Sequence, residues 1–176
     1  MPPSSPSDVI AALQAVLPYD WESFLRERID QAGAPAPMAG IERGGYRLVY
    51  RDTPSSYSAA SDAVLGSVNL MFSIGITIGG DGALKEVIWG SPAFDAGLTS
   101  GTTLLAVNGR AYTADELKRA ISAAKDGEGI ELLVKSGKRH RTVGVDYAGG
   151  LRYPHLEPVA GSRRRLDEIL APRRGR

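Results

Sequence analysis

Apolar residues in the first 40 positions recur at helical spacing in two runs. Ser7 and Asp8 are plausible caps for the first predicted helix, since short polar side chains accept hydrogen bonds from a helix's first amides. Asp20 is the expected cap of a second helix over Trp21–Gln31. We therefore predict that residues 1–40 form an N-terminal helical segment.

Residues 41–148 mix strand-like and helix-like patterns and are predicted to form one domain. Its predicted elements are, in order, a strand over Tyr46–Tyr50, a helix over Ser55–Leu65, strands over Phe72–Ile78 and Leu84–Trp89, a short helix over Pro92–Ala96, a strand over Thr103–Val107, a helix from the cap Thr113 to Lys125, and a hairpin of Ile130–Lys135 with Arg141–Tyr147. Two strands compete to complete its sheet, Tyr46–Tyr50 and Arg141–Tyr147, and we expect both to be used.

Residues 149–176 are predicted to form a C-terminal extension. It begins as irregular chain, continues as a short helix over about Arg163–Leu170, and ends in the basic run Arg173–Arg176. The arginines carry no interleaved aromatic residues, and Asp167 and Glu168 interrupt them, so we expect a solvated end and no nucleic-acid partner.

Composition narrows the class of protein. The chain has 176 residues, 43% hydrophobic and 23% charged, with a formal net charge of +1, so no global field steers it to nucleic acid or to a membrane. No apolar run approaches the roughly 20 residues that span a bilayer. The absence of cysteine excludes disulfides and thiolate chemistry, and it leaves a periplasmic or a cytoplasmic location open.

The order of strand, glycine loop, strand, short helix, strand, Asn-Gly turn and long helix resembles that of a PDZ domain. Ser73-Ile74-Gly75-Ile76 looks like its carboxylate-binding loop, and Gly90–Leu98, Leu104–Gly109 and the helix after Thr113 follow in the expected order. The resemblance implies an α+β fold: a small, partly open PDZ-like β-barrel with two helices, preceded by the N-terminal helical segment.

The flanking segments resemble the C-terminal region of the glycyl aminopeptidases, bacterial zinc metallopeptidases with a PDZ domain after the catalytic domain. The similar segments are Tyr19–Phe24, Gly44–Tyr50, Trp89–Phe94 and Tyr147–Leu156. The resemblance implies that this chain is the part that follows a protease domain, and that this catalytic domain is one of its partners.

The zinc motif of that family has two His residues four positions apart on one helix, so that both reach the metal while a Glu acts as base. This chain has only His140 and His155, neither in that pattern. We therefore expect no catalytic residue, metal ligand or cofactor here, and zinc only in the absent catalytic domain. A self-contained hydrolase is disfavoured because no Gly-x-Ser-x-Gly elbow occurs.

In a PDZ domain a peptide adds as an extra strand beside the strand that follows the glycine loop. The loop predicted to receive it here is Ser73, Ile74, Gly75 and Ile76. The amides of Ile74, Gly75 and Ile76 would hold a terminal carboxylate, and Gly75 would let the backbone turn them toward one point.

The opposite wall of the predicted groove is the helix after Thr113. Aligning it with the PDZ pattern turns Glu116, Ala120 and Ala123 toward the ligand. The alanines imply a roomy groove, and Glu116 would favour a donor or a positive group on the peptide. Glu116 is equally explained as the capping-box partner of Thr113.

Two alternatives to this site stay open. Gly75 can be a bulge glycine, and the groove can be occluded, for example by the Ser55–Leu65 segment, so that the domain only packs on the catalytic domain. No Lys or Arg lies between Asp52 and Ser73 to support a carboxylate, so an internal extended segment is an alternative to a free C-terminus.

Overall fold

A computed structural model describes residues 5–30 and 36–172 of the chain. Its helices are α1 Pro6–Val16, α2 Trp21–Ile29, α3 Ala39–Arg43, α4 Ser56–Leu65, α5 Pro92–Asp95, α6 Ala114–Ala123 and α7 Arg165–Leu170; its strands are β1 Tyr46–Arg51, β2 Ser67–Leu70, β3 Ile76–Gly79, β4 Leu84–Val87, β5 Thr103–Val107, β6 Arg110–Ala111, β7 Ile130–Ser136, β8 Arg139–Val145 and β9 Tyr153–Pro158. The chain divides into two compact units, one comprising residues up to Tyr46 with those from Gly161 onward, the other Arg47–Ala160.

The first unit contains α1, α2, α3 and α7, and none of these helices has a buried residue. Helix α1 is capped earlier than predicted: the Ser5 hydroxyl accepts from the Asp8 amide, and the Asp8 carboxylate accepts from the Ser5 amide at 2.8 Å. Asp20 caps α2 as predicted. Gln31, the predicted end of α2, and the basic run Arg173–Arg176 lie outside the described residues.

The second unit contains three sheets, ordered β1-β9, β2-β3-β4 and β6-β5-β7-β8. One apolar core joins the two larger sheets to α6, and its fully buried side chains include those of Leu70, Ile76, Leu117 and Ile121. The unit is therefore α+β, with sheets that do not close into one barrel, and its elements follow the PDZ-like order predicted from the sequence.

Three sequence predictions for this unit are wrong in part. The strand predicted over Phe72–Ile78 begins only at Ile76, because the residues before it form a turn. The irregular chain predicted after residue 149 contains β9. β8 joins β7 as expected, whereas β1 pairs with β9 and joins neither larger sheet.

Ion pairs link the two strands of the β1-β9 sheet. The Glu157 carboxylate accepts from Arg51 at 2.6 Å and from Arg47 at 2.9 Å. These side chains are far apart in sequence and come together only when the two strands pair, so the local pattern around residue 155 could not reveal the strand.

Candidate functional site

The turn between β2 and β3 is organised around one carbonyl group. The Leu70 carbonyl oxygen accepts hydrogen bonds from the amide of Ser73 at 3.0 Å and from that of Gly75 at 3.1 Å. Two amides of the predicted carboxylate loop thus converge on one oxygen, and that oxygen belongs to the chain itself.

Gly75 is required at its position for two reasons. Its φ is +84°, a conformation that costs other residues roughly 1–2 kcal/mol. A Cβ atom on Gly75 would also overlap the side chain of Ser91. Ser91 is buried and caps α5 by accepting from the Phe94 amide at 3.2 Å, so it is held in place.

The carbonyl groups of the loop are also used internally. The Ile74 carbonyl accepts from Ala93 at 3.0 Å, and the Gly75 carbonyl accepts from Ile88 at 2.8 Å. Of the three amides predicted to hold a carboxylate, only that of Ile74 has no hydrogen-bond partner among the described residues.

Both edges of β3 are paired. On one side it meets β4, with Ile76 opposite Val87, and on the other it meets β2, with Ile76 opposite Leu70. The Gly80 amide donates to Gly66 just beyond the strand ends, so the β2–β3 ladder extends past the regular pairs. The edge on which a peptide strand was predicted to add is occupied by β2.

Strand β2 has the direction and the apolar side chains expected of a peptide bound beside β3. It runs antiparallel to β3 and ends at the glycine loop, as a peptide with its C-terminus in that loop would. The Leu70 side chain is fully buried, and Val68, two positions before it, is 9% exposed.

Helix α4 covers the outer edge of β2. The Asn69 amide points away from β3 and donates to the Asp62 carboxylate at 3.3 Å. Gly66, in a left-handed conformation at the end of α4, turns the chain directly into β2. The outer edge of β2 is therefore covered by a helix, which is a common way to protect an exposed strand edge.

The three residues predicted on the helical wall lie on α6 but have different surroundings. Ala120 is buried in the core, and Ala123 is half-buried. Glu116 pairs with Arg110 at 3.4 Å and with Arg119. The hydrogen bond from Arg119 is the main cause that lowers the pKa of the Glu116 carboxyl.

Thr113 caps α6 as predicted, because its hydroxyl accepts from the Glu116 amide at 3.1 Å. The reciprocal contact of a capping box, from the Glu116 carboxylate to the Thr113 amide, is not among the hydrogen bonds of the described residues. The arginines instead hold the Glu116 carboxylate.

Ser73 anchors the loop to the segment that precedes β9. Its side chain is buried, and its hydroxyl oxygen accepts from the Arg152 amide at 3.0 Å. The Arg152 guanidinium lies 4.3 Å from the ring centroid of Tyr50, whose ring is 5.7 Å from that of Phe72. The position of the loop therefore depends on residues distant in sequence.

The histidines form no metal site in the described part of the chain. No group of three or more His, Cys, Asp or Glu side chains there is placed to hold a metal ion. His155 contacts the Thr53 carbonyl oxygen at 2.8 Å, and His140 lies exposed on β8. Within the same described ranges, every helix is too short or too polar to cross a bilayer.

Sequence reasoning missed Val68 and Leu70, the apolar residues of β2 that lie beside β3; it named the Ser55–Leu65 segment, which contains Asp62, as the example of an occluding segment. A signal was present, since Val68 and Leu70 alternate with polar residues directly before the loop. The apolar residues Met71 and Phe72 extended that pattern and made the turn look like the start of a strand.

No family model matches the chain, and no curated protein matches it. One solved structure that matches is the HtrA3 PDZ domain, described as bound to a phage-derived ligand, FGRWV. The two are 18% identical, the match covers 64% of this chain and 93% of that domain, and the TM-score is 0.32. The PDZ-like character of the second unit rests on its own element order, and the aminopeptidase resemblance stays a prediction.

Proposed function

We propose that this chain is a non-catalytic PDZ-like packing module in which β2 takes the place of a peptide ligand. The observation that carries the proposal is the pairing of β3 on both edges, with the Leu70 carbonyl bound by two amides of the loop. The domain then contributes a surface and a fixed geometry to a larger protein, and it holds no peptide beside β3.

The energetics of β2 favour occlusion. An incoming peptide would have to displace a strand that is already tethered beside β3, and a short tether gives an effective concentration on the order of millimolar. It would also have to take the fully buried Leu70 side chain out of the core. Exposing a leucine side chain costs about 1.5–3 kcal/mol.

The parent protein in this proposal is a glycyl aminopeptidase-like zinc metallopeptidase, a hydrolase whose catalytic domain is the module's partner. The support is the sequence resemblance of the flanking segments. An exposed aromatic ring is also available for packing: Trp89 is 84% exposed, and its ring centroid lies 4.4 Å from that of the half-buried Phe94. The coding sequence upstream should then contain the two-histidine zinc helix, and its absence would remove the aminopeptidase context.

The second candidate is peptide binding by strand addition beside Ser73–Ile76, after β2 has left. Two observations favour it: the Ile74 amide has no partner among the described residues, and α4, which precedes β2, buries none of its side chains. A segment with few buried contacts opens at low free-energy cost. Only the four residues of β2 would then have to leave the core.

Titration of the ¹⁵N-labelled chain separates the two candidates. The probes are a hexapeptide ending in Ser-Val-Asn-Leu, as free acid and as C-terminal amide, and a scrambled hexapeptide. Occlusion predicts that the amide signals of Gly75 and Ile76 keep their positions at about 0.1 mM peptide, well below the effective concentration of the tethered β2. Saturable shifts at these amides, with loss of the β2 signals, would establish strand exchange and refute occlusion.

The packing role has its own test. The substitution Trp89→Ala removes an exposed side chain, so we expect the isolated domain to keep its stability. In the full-length protein it should uncouple unfolding of this domain from that of the catalytic domain, seen as two calorimetric transitions. If Trp89→Ala leaves full-length unfolding unchanged, this aromatic pair is not the packing surface.

A further inference from the structure

The outer edge of β8 is open. The Glu131 carbonyl accepts from the Asn108 amide at 2.8 Å. The backbone N–H and C=O groups of the odd-numbered residues of β7 therefore point toward β5, and those of the even-numbered residues point toward β8. In β8, His140, Thr142 and Gly144 therefore direct their amides and carbonyls away from β7. None of these groups has a hydrogen-bond partner among the described residues.

The edge is exposed as well as unpaired. His140, Thr142 and Gly144 are all exposed, and open space surrounds the position of a Cβ on Gly144. The Arg141 guanidinium donates to the Gly97 carbonyl, just beyond the end of α5. The Arg141 side chain lies on the same face of β8 as that of the buried Val145. That contact does not use the outward backbone groups.

Unpaired cations surround this edge. Lys135, Lys138, Arg139 and Arg141 lie at the tip of the β7–β8 hairpin, and no Asp or Glu occurs from Leu132 to Val145. Among the described residues none of the four takes part in an ion pair.

Four other arginines of this unit are held in ion pairs. Arg47 and Arg51 share Glu157, and Arg110 and Arg119 share Glu116. The hairpin tip is thus a local positive patch on a chain with a net charge of only +1.

We propose that the β8 edge binds an acidic, extended polypeptide segment as an added strand. The outward groups of His140, Thr142 and Gly144 supply the ladder hydrogen bonds, and the four cations select carboxylate side chains. A second copy of this chain is disfavoured because its own β8 edge offers no Asp or Glu to the four cations. A nucleic acid would satisfy the cations but not the alternating donors and acceptors of a strand edge.

The probe is an octapeptide that alternates Glu with Val or Thr, titrated into the ¹⁵N-labelled full chain. One control peptide replaces Glu by Gln, and a second carries N-methyl groups on alternate amides, which blocks a ladder without changing charge. We expect saturable shifts centred on His140, Thr142 and Gly144 with the acidic peptide. Binding should weaken at least about tenfold with either control and with a rise in salt from 50 to 300 mM.

Variants of the protein test the same point. Lys138→Gln with Arg139→Gln should weaken binding about fivefold or more. Lys138→Gln alone should weaken it less, and its matched control Lys118→Gln, the loss of one lysine on α6 outside the hairpin, should leave binding unchanged. Thr142→Pro removes one outward amide at a position where an edge strand tolerates proline, and it should weaken binding while the signals of β5 and β7 keep their positions.

Three results would overturn the proposal. The first is that the acidic peptide shows no saturable binding to the folded chain. The second is that the N-methylated peptide or polyphosphate binds equally well, which would mean charge attraction alone. The third is that the β8 signals shift with protein concentration in the absence of peptide, which would assign the edge to a second copy. None of these outcomes bears on whether β2 occludes β3.

Discussion

The amide of Gly75 donates a hydrogen bond of 3.1 Å to the carbonyl oxygen of Leu70. One of the three amides predicted to hold a peptide's carboxylate is thereby engaged by the last residue of β2. The same pairing places the Leu70 side chain in the core and Asn69 opposite Thr77. The glycine loop therefore closes a hairpin within the domain.

Gly75→Ala should be much more damaging than Gly101→Ala. The two glycines have nearly the same φ, +84° and +82°, but a Cβ on Gly101 meets open space, whereas one on Gly75 overlaps Ser91. Gly101→Ala should cost only the conformational strain, about 1–2 kcal/mol. Gly75→Ala should add about 1–3 kcal/mol for overpacking. Urea denaturation of both variants measures the difference.

The Gly75 account has an internal control. Adding Ser91→Gly to Gly75→Ala removes the overlapping side chain, so the double variant should lose less than the sum of the two single losses. Strict additivity would mean that Ser91 is not the obstacle.

Leu70→Ala should lower the free energy of unfolding by about 2–5 kcal/mol, because it leaves a cavity in the core. The matched control is Leu65→Ala. Leu65 is the last residue of α4, and its side chain is 63% exposed, so this substitution should cost less than about 0.5 kcal/mol. Equal losses in thermal or urea unfolding would contradict the placement of β2 in the core.

Asp62→Ala should release the outer edge of β2. The Asn69 amide loses its acceptor, so its hydrogen exchange should accelerate, and stability should fall by about 1 kcal/mol. Asp62→Asn keeps a side-chain oxygen and should restore most of the protection. If Asn69 exchanges equally fast in the wild-type chain and in Asp62→Ala, α4 does not cover this edge.

The β1–β9 pairing should depend on pH through Glu157. Hydrogen bonds from Arg51 first, and then from Arg47, lower the pKa of the Glu157 carboxyl. A carboxyl whose pKa is lowered by folding contributes stability that is present above its unfolded pKa of about 4.3 and is lost as the pH falls through the folded pKa. Glu157→Gln should therefore be less stable than the wild-type chain near pH 7, with a gap that narrows in acid. A gap independent of pH would show that the ion pairs contribute nothing.

Local patterns predicted the parts of this fold that depend on neighbours in sequence. β5 lies at Thr103–Val107 as predicted, α4 ends at the predicted Leu65, and α6 begins after its expected cap, Thr113. In each case a capping side chain or a buried alternation is sufficient to define the element.

The candidate site was less predictable because its decisive contacts are made by residues whose roles the local pattern hides. Strand β2 has only four residues, and the apolar Phe72 and Ile74 after it belong to a turn whose direction is set by the positive φ of Gly75. Nothing in the sequence around Gly75 reveals that Ser91 fills the space beside it.

The most direct test of the account is the Hα–Hα NOE between Asn69 and Thr77, recorded with the Ser-Val-Asn-Leu peptide in excess. Asn69 in β2 lies opposite Thr77 in β3. Because the Asn69 amide points away from β3, the two residues form a non-hydrogen-bonded pair, in which the Hα atoms are close together. Occlusion predicts that this NOE is strong and persists with peptide present. Its replacement by an intermolecular NOE from the peptide to Thr77 would contradict the account.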